Sequence, residues 1–223
     1  MAKTDWDAYY RQPASFAPLT RKITERKLIG LLSRFDPRTS AKGFCELGGG
    51  DSCIFDAIRS RYPGSLYTVV DNNALGLELF RQRHGGDAAI QVVERDVLSN
   101  ALVDLQADVV LSLGLIEHFS PDETAQAVRA HFAAAREGGL VMITFPTPTW
   151  LYRATRTVAE AVGVWAFPDE RPLRVADVEA EVLRYGDLLH SSITWGVVLT
   201  QGVLVCRARV GGAAAAAAAR GRC

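Results

Sequence analysis

Three consecutive glycines, Gly48 to Gly50, form the most informative motif of the chain because acidic residues stand on both sides of them. Glycine tolerates positive φ and lets backbone amides approach a ligand closely. Glu46 lies just before the turn, and Asp71 ends the next apolar run, 23 residues after Gly48. An acid at about this distance binds ribose hydroxyls in open α/β folds. The pattern therefore predicts a site for a nucleoside cofactor.

The glycine turn has two other interpretations. A plain tight turn needs no ligand, but the acids that follow the second and third predicted strands, Asp71 and Asp96, argue against it. A nicotinamide dinucleotide site needs a Gly-x-Gly-x-x-Gly turn, and Cys53 occupies the position of its third glycine. The carboxylates of Glu46 and Asp51 would also repel a pyrophosphate. An NAD(P)-dependent oxidoreductase is therefore the less favoured alternative.

Short β-branched runs alternate with longer helical stretches, which is typical of crossover units around a mainly parallel sheet. The predicted strands cover residues 43–47, 66–71, 90–94, 108–113, 140–145, 191–199 and 202–209. The predicted helices cover 51–62, 74–84 and 121–137, with Gly138-Gly139 ending the last one, and a longer helical insertion covers 150–186. The last two strands are too close for a crossover helix and should pair antiparallel. We predict an α/β, Rossmann-like three-layer sandwich with a seven-stranded, mostly parallel sheet and a C-terminal antiparallel strand.

The chain divides into three predicted segments. Residues 1–35 form a helical extension or lid, and the apolar spacing of residues 23–32 predicts a helix packed over the carboxyl edge of the sheet. Residues 36–210 form the cofactor-binding domain. Residues 211–223 contain a run of alanines without apolar periodicity, and we expect them to be disordered.

Composition excludes several function classes. The 25 basic residues balance the 25 acidic ones, so we expect no nucleic acid partner. Four dispersed cysteines without a Cys-x-x-Cys pair, and histidines without metal-ligand spacing, predict neither a metal site nor a disulfide framework. We find no signal-peptide core and no integral membrane segment, which would need about 18 uninterrupted apolar residues. We therefore expect a cytoplasmic protein with reduced thiols.

Three further segments extend the pattern around the glycine turn. They are Val70-Asp71-Asn72, Glu94-Arg95-Asp96-Val97 and Asp108 to Leu113. With them, the chain resembles the class I S-adenosylmethionine-dependent methyltransferases over roughly residues 40 to 209. The resemblance implies a seven-stranded Rossmann-like fold and S-adenosyl-L-methionine as cofactor. This cofactor carries an ammonium and a sulfonium and no phosphate, so the acids around the turn would not repel it.

The resemblance also implies roles for the residues of the turn. The backbone at Gly48, Gly49 and Gly50 would lie against the methionine portion of the cofactor, and Glu46 would support the turn. Ser52 stands where the family usually has a third small glycine, and we expect this difference to shift the start of the following helix slightly.

The nucleoside portion of the cofactor is assigned in the same way. Asp71 would bind the ribose diol, and Asn72 would flank the base. Asp96 would accept a hydrogen bond from the adenine amino group, while the amide of Val97 meets a ring nitrogen. Leu113, which ends the fourth predicted strand, would line the floor of the cofactor site.

The acceptor end of the site is predicted from the segment after the fourth strand and from aromatic residues near the crevice. Glu117-His118 resembles an element found at this place in many small-molecule methyltransferases. His118 is the candidate general base because imidazole titrates near neutral pH, although a packing role remains an alternative. Glu117 is expected to be solvated or to anchor a loop. The candidate substrate-binding residues are Tyr9, Tyr10, Phe145, Trp150 and Tyr152.

Together these residues predict a methyltransferase that acts on a small-molecule or glycan-like acceptor, at oxygen. A catalytically silent subunit that keeps the cofactor fold is the other alternative. The acceptor and the oligomeric state do not follow from the sequence.

Overall fold

The structure, a computed structural model, describes residues 3–11, 17–36, 42–99, 102–195 and 200–209. Within these ranges, seven strands form one sheet. The strands are β1 (Gly43–Leu47), β2 (Leu66–Asp71), β3 (Ile90–Glu94), β4 (Ala107–Leu113), β5 (Ala135–Pro146), β6 (Gly186–Trp195) and β7 (Thr200–Ala208). Their order is β3-β2-β1-β4-β5-β7-β6, and β7 runs antiparallel to both of its neighbours. The predicted Rossmann-like sheet with a reversed C-terminal strand is confirmed.

The strand order places a ligand crevice at the end of β1. Strand β1 lies between β2 and β4, so the connections that leave it and enter β4 turn to opposite sides of the sheet. Leu47 pairs with Val70 of β2, and Glu46 pairs with Leu111 of β4. Open α/β sheets bind their ligands outside the carboxyl ends of the strands at such a switch point. The glycine turn therefore leaves β1 directly into this crevice.

Seven helices accompany the sheet in the described part of the chain. They are α1 (Trp6–Arg11), α2 (Ala17–Phe35), α3 (Phe55–Arg61), α4 (Ala74–His84), α5 (Pro121–Ala134), α6 (Trp150–Ala161) and α7 (Val175–Val182). A short 3-10 turn, Ile116–His118, follows β4. Helix α4 has the predicted bounds, and the predicted insertion between β5 and β6 contains α6 and α7.

Helix α5 ends earlier than predicted. Ser120 and Glu123 form the expected capping box at its start, with a proline in the first turn. At its other end, Ala135 already has extended backbone and pairs with Ala107 of β4. Gly138 and Gly139 therefore lie inside β5, and the prediction that they end the helix is wrong.

Helices cover both faces of the sheet, which gives the predicted three layers. On one face, buried residues of α5 and α7 such as Phe132 and Val182 pack against the strands. On the other face, α2, α3 and α4 contribute Leu32, Phe55 and Phe80 to a second apolar cluster. Burial on both sides explains why the central strands are nearly continuous apolar runs.

The prediction for the N-terminal helix needs a correction. Leu28, Leu31 and Leu32 of α2 belong to the same buried cluster as Met142 and Val203, which lie on a face of the sheet. They do not lie over its carboxyl edge as predicted, because α2 lies beside β7, where Arg207 donates to the carbonyl of Phe35. The short helix α1 lies over the carboxyl edge instead.

Within the described residues, no helix is long and apolar enough to cross a membrane. Residues 196–199 of the predicted sixth strand and the predicted tail, 211–223, lie outside the described part. The division of the chain at residues 35 and 210 stays a prediction.

Candidate active site

A cavity of about 590 Å³ opens at the carboxyl ends of β1, β2 and β4. Its volume is within the range of small-molecule sites. It extends from the glycine turn to the 3-10 turn after β4 and to residues 167–170. Eight acidic residues and two basic ones line it. The acids are Glu46, Asp51, Asp71, Asp96, Glu117, Glu123, Asp169 and Glu170, and the basic residues are Lys3 and Arg21.

The turn after β1 needs glycine at three successive positions. Gly48 and Gly50 have φ values of +66° and +41°. A Cβ on Gly49 would lie 2.9 Å from the carboxylate of Glu46. The amide of Gly48 donates to the carbonyl of Val70 over 2.8 Å, which fixes the turn against β2. The result is a bare backbone surface that Gly48 and Gly49 present to the cavity.

Glu46 supports this turn from below. It is 2% exposed, and its carboxylate accepts a hydrogen bond of 2.8 Å from the Tyr67 hydroxyl. Burial raises the pKa of Glu46 to about 7, against the opposing effect of hydrogen bonds from Ser52 and Tyr67. The carboxyl group is therefore poised to change charge near neutral pH.

Ser52 explains why α3 starts later than predicted. Its hydroxyl accepts hydrogen bonds from the amides of Ile54 and Phe55, at 3.4 and 3.2 Å. These bonds occupy the amides that would otherwise begin a helix at residue 51, so α3 starts at Phe55.

Asp71 stands at the carboxyl end of β2, as predicted. It is 7% exposed, and its carboxylate accepts a 2.8 Å hydrogen bond from the amide of Asn73. Burial raises its pKa, while the backbone amides of Asn73, Gly50 and Asn72 oppose that shift. Asn72 is exposed and lines the cavity beside it.

The predicted adenine contacts lie at the next strand end. Asp96 and Val97 follow β3, and both line the cavity. Asp96 accepts a 2.9 Å hydrogen bond from the amide of Leu98, which turns the chain there. Leu113 ends β4 and forms part of the same wall. The structure thus brings every predicted cofactor-binding residue except Gly50 to the cavity wall.

Gly50 is covered by Tyr10. A Cβ on Gly50 would overlap the Tyr10 hydroxyl, and one on Gly76 would lie 2.7 Å from its ring. Burial, with the nearby carboxylates of Asp71 and Glu46, raises the pKa of Tyr10. Tyr10 was predicted at the acceptor end, but it lies over the glycine turn because α1 crosses the carboxyl edge of the sheet.

The remaining aromatic predictions divide into two groups. Tyr9 and Tyr152 line the cavity. Phe145 does not, because it is fully buried in the core, where a Cβ on Gly202 would lie 2.7 Å from its ring. Trp150 is 72% exposed at the start of α6 and also lies off the cavity wall. The structure therefore contradicts a substrate-binding place for Phe145 and Trp150.

His118 is part of a hydrogen-bonded chain at the far end of the cavity. Its Nδ1 lies 3.0 Å from Asp169 Oδ1. Asp169 also accepts hydrogen bonds from the backbone amide of Thr4, over 3.1 Å, and from the Thr4 hydroxyl. Burial lowers the pKa of His118, and Asp169 opposes this effect. The ring centroids of Trp6 and Phe167 lie 4.9 and 5.8 Å from that of the imidazole.

Two glutamates, the buried Glu117 and the half-buried Glu170, stand beside His118. Glu117 is 1% exposed, and burial together with the carboxylate of Glu170 raises its pKa well above the usual value. Burial also raises the pKa of Glu170 to about 7, while its hydrogen bond with the Tyr152 hydroxyl opposes the shift. Arg156 donates to the Tyr152 hydroxyl over 3.3 Å. The expectation that Glu117 is solvated is wrong, since it lies inside this cluster.

Several cavity residues escaped the sequence reasoning. Trp6, Phe167, Asp169 and Glu170 reach the site from segments distant in sequence. The helical insertion of residues 150–186 was predicted, but nothing in its sequence indicated that its acidic residues would reach the site. Only the fold brings residues 167–170 next to the 3-10 turn after β4.

A protein-family model described as a methyltransferase domain matches residues 44–139. This range contains the glycine turn, Asp71, Asp96 and His118. Residues 44–139 therefore match a methyltransferase domain, and they lie within the Rossmann-like sheet described above. The cofactor of such a domain is S-adenosylmethionine, as predicted, and the dinucleotide alternative loses its support. No curated protein sequence is significantly similar to the chain.

Solved structures agree with this assignment at the level of the fold. The S-adenosylmethionine-dependent methyltransferase SibL in its apo form has a TM-score of 0.72 at 19% identity, over 92% of this chain and 59% of SibL. Magnesium protoporphyrin IX methyltransferase ChlM from Synechocystis PCC 6803, with bound SAH, has a TM-score of 0.70 at 14% identity, over 92% and 94% of the two chains. The N-methyltransferase NodS from Bradyrhizobium japonicum WM9, in complex with S-adenosyl-L-homocysteine, has a TM-score of 0.63 at 11% identity, over 90% and 91%. The TM-scores establish the architecture. The sequence identities are too low to identify the acceptor.

Proposed function

We propose that this methyltransferase transfers a methyl group from S-adenosylmethionine to a hydroxyl oxygen of a small-molecule or glycan-like acceptor. The observation that carries the proposal is one continuous cavity with two chemically different ends. Gly48, Gly49 and Asp71 line one end, and His118 lines the other. The volume of about 590 Å³ suits a cofactor together with a small acceptor.

The cofactor end fits S-adenosylmethionine in shape and charge. The backbone of Gly48 and Gly49 forms part of the cavity wall, and glycine is needed there because a Cβ would collide with Leu115 or with Glu46. The excess of acids around the cavity suits a ligand with an ammonium and a sulfonium. In our proposal Asp71 binds the ribose diol, Asn72 flanks the base, and Asp96 with the amide of Val97 binds the adenine.

The proposed chemistry needs alignment and removal of a proton. When bound, S-adenosylmethionine supplies an electrophilic methyl carbon whose bonding pair stays on sulfur as the acceptor oxygen attacks. His118 is the proposed proton acceptor. Its Nδ1–H donates to Asp169, and this tautomer leaves a lone pair on Nε2. Burial lowers the pKa of His118 and so favours the neutral imidazole, which is the form that accepts a proton.

The acceptor class follows from the walls at that end. Tyr9, Tyr152, Trp6 and Phe167 place aromatic rings around the cavity, which suits an acceptor with apolar or ring surface. The balanced charge of the chain supports a small acceptor over a nucleic acid. Cys45, Cys53 and Cys206 are free thiols, which supports a reducing, cytoplasmic location.

Calorimetry with S-adenosylhomocysteine tests the cofactor assignment. Asp71→Ala should weaken binding by at least ~1.5 kcal/mol, because it removes charge-assisted hydrogen bonds to the ribose. Asp122→Ala, at an exposed position in the first turn of α5, is the matched control and should bind normally. Unchanged affinity in Asp71→Ala would refute the assigned ribose contact.

An acceptor screen with labelled cofactor tests the reaction. We expect labelled products from alcohols, phenols or sugars. The His118→Ala variant should lose at least ~100-fold in turnover, and it should lose the rise of rate with pH that a histidine base gives. Products from amines alone would refute O-methylation, normal turnover in His118→Ala would refute the base, and a chain that binds S-adenosylhomocysteine without any turnover would be a silent subunit.

A further inference from the structure

Three potential metal ligands converge at the acceptor end of the cavity. One ligand atom from each of Glu117, His118 and Glu170 lies within 4.8 Å of the other two. All three residues line the cavity. No sequence pattern indicates this group, because Glu170 follows His118 by 52 residues.

Glu117 carries the observation that points to a ligand. Its side chain is 1% exposed, and its Oε2 has no hydrogen-bond partner among the residues that the structure describes. The charges that act on it belong to two other carboxylates, those of Glu170 and Asp169. A buried carboxylate oxygen normally has a donor or a cation beside it. Here the open oxygen lies in a cavity wall beside a second carboxylate.

The residues behind the cluster hold its side chains in place. Asp169 accepts a hydrogen bond from Nδ1 of His118, which leaves Nε2 available as a ligand. The Tyr152 hydroxyl hydrogen-bonds to Glu170, and Arg156 donates to the backbone carbonyl of Glu170 over 2.6 Å. A carboxylate on the far nitrogen of a histidine, and hydrogen bonds to the carboxylate ligands, are the usual support of a metal site.

We propose that Glu117, His118 and Glu170 bind a divalent metal cation. Carboxylates suit Mn²⁺, and both carboxylates and imidazole suit Zn²⁺, so this set of ligands fits either ion. Three protein ligands leave coordination positions open for a ligand in the cavity. This proposal replaces the prediction, made from the spacing of the cysteines and histidines, that the chain has no metal site.

The consequence for catalysis rests on the proposed function, whereas the binding itself does not. A cation held by Glu117, His118 and Glu170 would lower the pKa of an acceptor hydroxyl bound to it, and the proton would leave to water. His118 would serve as a ligand in the metal-bound protein, and its role as the free base would belong to the metal-free protein only.

The test measures metal binding without turnover. The full chain is treated with EDTA, exchanged into buffer, and titrated with MnCl2 and separately with ZnCl2, with calorimetry for both and the electron paramagnetic resonance signal of free Mn²⁺ for the first. We expect one equivalent of at least one cation to bind saturably. Glu117→Gln and Glu170→Gln should each weaken that binding at least tenfold, because each replaces an anionic ligand by an amide of the same size.

Glu137→Gln is the matched control, since it makes the same change at an exposed position of β5 and should bind as the wild type does. Thermal unfolding shows whether each variant is folded. If Glu117→Gln does not fold, metal binding by Glu170→Gln tests the proposal. No saturable binding of either cation, or binding that persists in both glutamine variants, would overturn the proposal. S-adenosylhomocysteine binding in the same samples separates the two proposals, because it should survive EDTA and both substitutions.

Discussion

Replacing Glu46 by glutamine should stabilise the protein at alkaline pH and have little effect in mild acid. Burial raises the pKa of Glu46 from 4.5 to about 7 in the folded state. Below pH 4.5 the folded and unfolded chains both carry the proton, so the pKa difference has no effect. Between pH 4.5 and 7 only the folded chain keeps the proton, and its stability falls by ~1.4 kcal/mol per pH unit. Above pH 7 the folded state carries the full cost of a buried carboxylate, about 3 kcal/mol.

Glutamine cannot ionise, and its amide oxygen can still accept the Tyr67 hydroxyl. The free energy of unfolding of Glu46→Gln should therefore exceed that of the wild type by up to about 3 kcal/mol at pH 8, and the two should agree at pH 4.5. Urea unfolding at a series of pH values measures this difference without added cofactor. Glu94→Gln, an exposed glutamate at the end of β3, is the control and should follow the wild type at every pH. A Glu46→Gln variant no more stable than the wild type at pH 8 would refute the reasoning, because it would mean that the buried charge costs nothing.

Two further predictions concern packing and acid stability. Gly50→Ala should lower both the melting temperature and the affinity for S-adenosylhomocysteine, because it adds a Cβ against Tyr10. Gly64→Ala is the control, since Gly64 also has a positive φ but has open space around it, and it should lower the melting temperature alone. Burial lowers the pKa of His131 to about 4, so the fully buried neutral ring makes folding less favourable as the pH falls from 6.5 to 4. The free energy of unfolding should therefore fall between pH 7 and pH 4, and His131→Leu should reduce this fall by about 3 kcal/mol. Urea unfolding at the two pH values measures the fall. The same fall in the variant and in the wild type would contradict a buried neutral histidine.

Local patterns were sufficient to predict most of the sheet. The five parallel strands and α4 were visible as apolar runs bounded by turns, and the proximity of the last two strands predicted their antiparallel pairing. The end of α5 was missed because two glycines after a helical run usually end a helix, whereas here Ala135 pairs with β4 first. That pairing depends on a neighbour that is distant in sequence.

The cofactor end of the site was predictable for the same reason. Its residues follow strand ends in sequence, so the order of the strands places them together. The acceptor end is assembled from α1, the 3-10 turn after β4 and residues 167–170, and no local pattern connects these segments. Phe145 illustrates the limit, since a residue near a strand end can face the core as easily as the crevice.

The short segment of residues 3–11 bonds to both ends of the cavity at once. Asn73, at the start of α4, donates to Asp7 over 2.8 Å, and Tyr10 covers the glycine turn. At the other end, Thr4 bonds to Asp169, the partner of His118. Docking of residues 3–11 therefore affects the binding of both the cofactor and the acceptor. A cofactor that favours the docked segment would raise the affinity for the acceptor, and the acceptor would raise the affinity for the cofactor by the same factor. The two ligands should therefore bind cooperatively at opposite ends of the cavity.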